Sequence, residues 1–549
     1  MRSALRAVCG GTLAFALMIA LPGAARQPSS AHQQGSLRAG QQPPAHAGQP
    51  AAAQGQQPPA GGAGEKPRGK RGQKPETKPP QLPEAQRRLL PDTTPGKLLG
   101  EWLAICGKPS VELMTKWHQD HLRERFLEGV EPRAVGRADA VDCFNAGGLQ
   151  VTEVVRSTQD NLVVLAHGPR LDTWFRLALR TFEDGKSGPV QAMPATPPES
   201  SVPKDLRDPA LQKEIDRSVQ RLHAADAFSG IVMASRDGTP FITSTAGDAN
   251  RTRITKFTPS SQFTIGSMGK MFTAAAFARL VDQGKASFDD TVGTFFPEFA
   301  NETVRDKVTV AMLLTHTSGM GDFLGRRTAE MMKSGVKRAS EFMPLYEKDE
   351  PAFEPGKGSA YSNAGLALVG AIVEKVSGED YPDYLRKHVF EPAGMVNSHA
   401  NNVPLKDPLM VVPYTKRSES GPLLGWIQAQ RDIGSPAGGA VSTAEDLLKF
   451  AEALRGGRLV SKATFEKMSR AHEKTPTGGA YGYAMNVADI YGRTVVGHGG
   501  GFPGVSAQLY IVLDTPYAAV VLSNQDPPAA EMVGERLRAM LVKKAEQEK

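Results

Sequence analysis

Apolar residues fall into distinct periodic patterns along this 549-residue chain, and its main elements follow from them. Met271, Phe272, Ala274, Ala275, Phe277, Ala278, Leu280 and Val281 are apolar on nearly every side of a helix, which predicts a buried one. Leu366, Ala367, Leu368, Val369, Ala371, Ile372 and Val373 predict a second apolar helix. Met532, Val533, Leu537, Met540 and Leu541 line one face over 529–543, an amphipathic helix suited to a sheet. The largely apolar stretch from Ala507 to Leu513 reads as a strand. Within 93–190 the pattern predicts two helices, over 96–106 and 110–127. Three strands follow, over 148–157, 161–167 and 172–182. Val151, Val154, Val155, Leu162, Leu165, Trp174, Phe175, Leu177 and Leu179 supply the core of a separate small α+β domain.

Elsewhere the periodicity fails. Residues 26–92 are rich in Gln, Pro, Gly and Ala and predict a disordered linker. A second, Pro/Ser-rich linker spans 191–204, leaving 205–549 for the largest domain. Residues 1–25 read as a secretory signal: Arg2 and Arg6, an apolar stretch from Val8 to Leu21, then the small residues Gly23, Ala24 and Ala25. The apolar stretch is short for a membrane span, although retention as an anchor is the alternative. The expected location is therefore periplasmic or extracellular.

Charge changes the picture in one respect. The whole chain carries +7, yet residues 26–92 hold ten Lys and Arg against four acids. With Arg2 and Arg6, the tail accounts for the entire excess, so the basic character belongs to the tail. It suits a solvated spacer or a contact with anionic envelope polymer. Nucleic-acid binding is not expected, because no basic patch maps onto a folded motif. Of the three cysteines, Cys9 lies in the signal, and Cys106 and Cys143 could form one disulfide in an oxidising compartment. None falls in 205–549, which removes thiol catalysis there. His118 and His121 lack a third ligand and read as helix surface, so no metal site is expected.

Three short segments carry chemistry. Ser267-Met268-Gly269-Lys270 opens the first buried helix, placing a lysine on the same face as a serine. Serine is a poor nucleophile without a nearby base, and a desolvated lysine can supply one. Two other Ser-x-x-Lys matches, at Ser201 and Ser334, precede no apolar helix. Tyr361-Ser362-Asn363 precedes the second apolar helix and offers a proton-carrying phenol and an amide. His498-Gly499-Gly500-Gly501 offers an imidazole and glycines that let backbone approach a ligand closely. Gly501 could supply one oxyanion N–H, the other coming from Ser267. The glycine run also looks like the oxyanion loop of α/β-hydrolase esterases, but no Gly-x-Ser-x-Gly elbow accompanies it.

Taken together, Ser267-x-x-Lys270, Tyr361-x-Asn363 and His498-x-Gly500, separated by 94 and 137 residues, resemble the serine β-lactamase and penicillin-binding-protein superfamily in its class C-like branch. Further segments over about 210–543 fit that resemblance: Phe228 to Gly238 as the first hairpin, Val308 to Gly319, Glu391 to Met395 and Gly439 to Asp446. The resemblance implies an α+β fold, β-lactamase/transpeptidase-like, in which an antiparallel sheet is flanked by helices and carries an all-helical subdomain. It implies Ser267 as acylated nucleophile, Lys270 as its base or activating charge, Tyr361 as proton shuttle and Asn363 as a holder of substrate amide and lysine. His498 replaces the lysine of the more familiar Lys-Thr-Gly. Histidine is mostly neutral at pH 7, which weighs against efficient β-lactamase activity. His316, Thr317 and Ser318 read as a structural turn. The order of elements in 93–190 resembles the NTF2-like α+β cone.

The expected protein is an exported serine hydrolase, acting on a D-amino-acid peptide, β-lactam or carboxylic ester through an acyl-enzyme, with no metal or organic cofactor. The alternative is a penicillin-binding-like receptor or scaffold without turnover, whose N-terminal domain binds a ligand.

Overall fold

The computed structural model describes residues 80–128, 131–323, 336, 338–400, 408–415, 427–428, 435–474 and 479–548. The expected signal, and the expected linker as far as residue 79, lie outside the described residues. So does much of 320–352 and 401–437, where substrate-facing loops are expected.

Helices α1 (Thr94–Gly107), α2 (Val111–His121) and α3 (Pro132–Ala146) precede a four-stranded sheet. Its strands, β1 (Gln150–Ser157), β2 (Asn161–Gly168), β3 (Thr173–Arg180) and β4 (Gln191–Pro194), run in sequence order. Sequence periodicity misses α3, because Arg133, Arg137, Asp139 and Asp142 interrupt its apolar positions. Cys106 of α1 and Cys143 of α3 are joined by a disulfide, with 5.0 Å between their Cα atoms. His118 is not on a helix surface. It is buried, and its Nε2 lies 3.1 Å from Asp139 Oδ2, which also accepts Trp102 Nε1–H. Residues 80–92, expected in the linker, carry a helical turn at Glu84–Arg87, and the Gln86 amide bonds both backbone groups of Val151.

The larger part begins with α4 (Asp208–Ala224) and the hairpin β5 (Gly230–Arg236) and β6 (Thr239–Ala246). The short strand β7 (Phe263–Thr264) leads to α5 (Lys270–Asp282). Helices α6 (Asn363–Ser377) and α7 (Tyr381–Leu385) follow, then the short strand β8 (Val441–Ser442) and α8 (Ala444–Arg455). Strands β9 (Glu473–Lys474), β10 (Ala480–Tyr481), β11 (Asn486–Ile490), β12 (Arg493–Phe502), β13 (Val505–Val512) and β14 (Tyr517–Ser523) precede the terminal α9 (Ala529–Gln547). The eight-stranded sheet runs β9-β10-β11-β12-β13-β14-β5-β6, and its ladders are antiparallel.

Strand alternation divides the interior in two. Ile231, Met233, Val520 and Leu522 face one core, shared with α5, α6 and α8. Val232, Ala234, Ala519 and Val521 face the other, shared with α4 and α9. That second core continues without a break into Leu99, Leu162, Val164, Leu177 and Leu179 of the N-terminal part. Polar ties reinforce the contact: Arg536 reaches Asp172 at 3.4 Å and Thr196 bonds Glu535 at 2.8 Å. The N-terminal part thus packs on the sheet face opposite to the Ser267 helix.

Candidate active site

The serine sits where a strand meets a helix. Pairing of β7 with β8 leads into Ile265, whose N–H bonds the Ala440 carbonyl at 2.9 Å. Gly266–Gly269 then forms a 3₁₀ turn, and α5 starts only at Lys270. In a 3₁₀ turn residues i and i+3 eclipse, which brings Lys270 directly against Ser267. Lys270 Nζ is 3.2 Å from Ser267 Oγ. Ser267 is part-exposed, whereas Lys270 and nearly all of α5 are buried. Of the other two Ser-x-x-Lys matches, Ser201 ends a short 3₁₀ turn followed by extended backbone, and Ser334 with Lys337 lies outside the described residues.

Lys270 is held from three sides. Besides Ser267 Oγ, its Nζ meets Asn363 Oδ1 at 2.7 Å and the Ala437 carbonyl. The Asn363 amide is oriented by Asp322, whose Oδ2 accepts from Nδ2 at 3.1 Å, so Oδ1 faces the lysine. Two of the three partners are therefore acceptors only. As an ammonium, Lys270 satisfies all three. As an amine, it keeps two N–H bonds to the acceptors and presents its lone pair to the Ser267 hydroxyl. The same geometry serves both ends of a proton transfer.

Asn363 is the first residue of α6, which Ser362 caps through its hydroxyl at Gly365 N. Tyr361 stands two residues earlier, with Lys270 Nζ 4.8 Å from its ring centroid. Its hydroxyl is buried and makes no hydrogen bond of good geometry among the described residues. Burial pushes the phenol well above its usual range, against a smaller opposing pull from Ser267. Tyr361 is thus neutral at rest.

His498 lies in a strand, not a turn. β12 carries His498, Gly499, Gly500 and Gly501, each paired with β13. His498 Nδ1 faces the Gly499 carbonyl, so this nitrogen carries a proton. Nε2 then accepts from the Tyr481 hydroxyl at 2.8 Å. Burial, helped by the Lys270 charge, lowers its pKa to about 4, and the ring is neutral at pH 7. The glycines have a steric task. A β-carbon on Gly500 would fall 1.8 Å from the Ile265 carbonyl oxygen and 3.0 Å from Met268 N. Gly266, with φ +52°, has its own β-carbon position 2.9 Å from Gly501 N. Glycine alone lets β12 lie against the Ser267 turn and brings the Gly501 amide against Gly266, the residue before Ser267.

The five side chains singled out by motif thus converge on one place. The beta-lactamase family model matches residues 215–544, more than half of the chain. The chain belongs to the beta-lactamase family. It is 29% identical to penicillin-binding protein 4 of Amycolatopsis lactamdurans over 288 residues, 49% of this chain and 73% of that protein. It is 23% identical to a D-aminopeptidase of Cereibacter sphaeroides over 336 residues, 60% of this chain and 63% of that one. Among solved structures, an octameric penicillin-binding protein homologue from Pyrococcus abyssi superposes with a TM-score of 0.54 at 28% identity, covering 60% of this chain and 77% of that one. The family's α+β fold, an antiparallel sheet with flanking helices, is the one described above.

Within this beta-lactamase family site, four contributors escape sequence reasoning. Ala437 acts through a carbonyl, for which side-chain patterns hold no signal. Asp322 is one acid among many until its contact with Asn363 is known. Tyr481 meets His498 only through pairing of β10, β11 and β12. His316, read above as part of a structural turn, is buried against Tyr361 and Tyr481, with ring centroids 4.5 and 4.9 Å away.

Proposed function

We propose that the protein is an exported serine hydrolase that cleaves an amide or ester through an acyl-enzyme on Ser267. The observation that carries this reading is the Lys270 ammonium-or-amine geometry, with Nζ 3.2 Å from Ser267 Oγ and two fixed acceptors behind it. In acylation, Lys270 takes the Ser267 proton while Oγ attacks the substrate carbonyl carbon. The N–H groups of Ser267 and Gly501 receive the developing oxyanion. Tyr361, neutral and next to both Ser267 and Lys270, relays a proton to the leaving amine or alcohol. Water then attacks the ester, and the same groups return the proton to Oγ.

Substrate class follows from His498. Both its nitrogens are engaged within the protein, and it is neutral, so it offers no charge to a substrate carboxylate. This favours D-amino-acid amides and peptides or neutral esters over β-lactams. The D-aminopeptidase relative makes D-amino-acid amides the first substrates to try. Export is supported by the signal-like residues 1–25 and by the Cys106–Cys143 disulfide, which belongs to oxidising compartments. The basic residues of 26–92 would then be available to anionic envelope polymer.

The test is labelling of residues 26–549 with a fluorophosphonate and, separately, a fluorescent penicillin, with adduct mapping and Ser267→Ala as control. A Ser267 adduct from the fluorophosphonate is expected, with the penicillin slower. No adduct from either reagent would instead favour a receptor without turnover.

A further inference from the structure

His316 is expensive for an ordinary turn residue. Its φ is +62°, a left-handed conformation that side chains rarely adopt outside Gly, Asn, Asp and His. The residue is 4% exposed, and burial, with Lys270 and His498 adding to it, keeps the ring neutral. Nδ1 accepts the Ser362 N–H at 3.1 Å, which puts the ring proton on Nε2, where no partner stands among the described residues. Strain, a buried imidazole and an unpaired donor at one residue point to a task that offsets them.

The task is legible in what His316 touches. Its carbonyl accepts the Ala360 N–H at 3.0 Å, and its ring accepts the Ser362 N–H. The two bonds bracket Tyr361. The same ring packs against the Tyr361 ring at 4.5 Å, backed by Tyr481 at 4.9 Å. The Tyr361 hydroxyl interacts with Ser267 without a hydrogen bond of good geometry, so its aim depends on this packing.

We propose that His316 is the positioning residue that aims Tyr361 at Ser267 and Lys270, using its left-handed backbone and its imidazole together as a clamp on residues 360–362. This rests on the serine-hydrolase reading above. It makes His316 a positioning residue, acting through Tyr361, and not a catalytic one.

The test is the saturation kinetics of hydrolysis of a D-amino-acid p-nitroanilide, whose leaving amine takes the proton that Tyr361 relays; these kinetics separate maximal rate from half-saturation. His316→Phe keeps a flat ring but loses the acceptor for Ser362 N–H. Its maximal rate should fall about 100-fold, as expected for misplacement near 1 Å, with half-saturation little changed. His316→Asn keeps an acceptor and tolerates the left-handed backbone, and should recover much of the rate even if the phenylalanine variant folds poorly. Tyr361→Phe supplies the decisive comparison: adding His316→Asn or His316→Phe to it should cost nothing further, because both losses run through one side chain. Additive losses, or a full rate in His316→Phe, overturn the proposal. If Ser267→Ala hydrolyses the anilide like the wild type, the serine-hydrolase reading fails instead.

Discussion

Tyr481 donates its hydroxyl proton to Nε2 of His498 at 2.8 Å, so a tyrosine from β10 seals the imidazole of β12 inside the protein. Nδ1 is spent on the Gly499 carbonyl. At this position the site presents a neutral, saturated wall.

Replacing that wall with a charge should change the substrate range. His498→Lys is expected to speed acylation by a carboxylate-bearing penicillin by about tenfold or more, since hydrogen bonds to charged groups contribute roughly 1.5–3 kcal/mol. Acylation by a neutral ester should not gain. Rates of Ser267 acylation by the two reagents, measured side by side, check this. An equal change for both would show that His498 does not set charge preference.

Gly500→Ala should separate folding from catalysis. The new methyl must move either the Ile265 carbonyl or β12, because 1.8 Å is far inside contact distance. Hydrolysis is expected to fall at least about 100-fold through displacement of the oxyanion donors. Circular dichroism should still report a folded protein. Unchanged turnover would remove Gly501 from the oxyanion role.

Acid should weaken the fold through its buried histidines. The His498 pKa is lowered to about 4 by burial and by Lys270, from 6.5 when unfolded. Between those values the unfolded chain binds more protons, so stability drops as pH falls from 6.5 to about 4. The loss from His498 alone is roughly 3 kcal/mol by the lower limit. His316, also lowered by burial, adds to the same slope. Denaturant midpoints across this range check the sign, and His498→Asn should flatten the slope.

Reduction of Cys106–Cys143 should lower stability and leave catalysis alone. The bond closes a loop of 37 residues, for which loss is roughly 3–4 kcal/mol on a chain-entropy basis. It lies in the N-terminal part, on the sheet face opposite Ser267. Thermal midpoints with and without reductant should differ, while initial rates below both midpoints should match.

Much of this is readable along the chain. The buried helix after Ser267 follows from apolar residues on all sides, and α9 from one apolar face, because local periodicity needs no knowledge of partners. Ser267, Lys270, Tyr361, Asn363 and His498 are legible because their spacing belongs to a family pattern. Helix α3 is not, since its charged residues blur the apolar repeat. The apolar positions of 93–190 are legible as well, but the sequence does not say that they share one core with Val232 and Val521.

What the sequence by itself determined is the strongly periodic helices and strands, the family and the five polar side chains that share a site. What tertiary structure alone decided is their state: a lysine between one hydroxyl and two fixed acceptors, a tyrosine held neutral, a histidine sealed by Tyr481, and a second histidine clamping Tyr361. The reason is physical. Periodicity and motif spacing record which residues are present and which face they share. Protonation and aim depend on burial and on distant partners. His316 and Ser362 are 46 residues apart, Lys270 and Asn363 93 apart, and only the folded chain brings them to 3.1 and 2.7 Å.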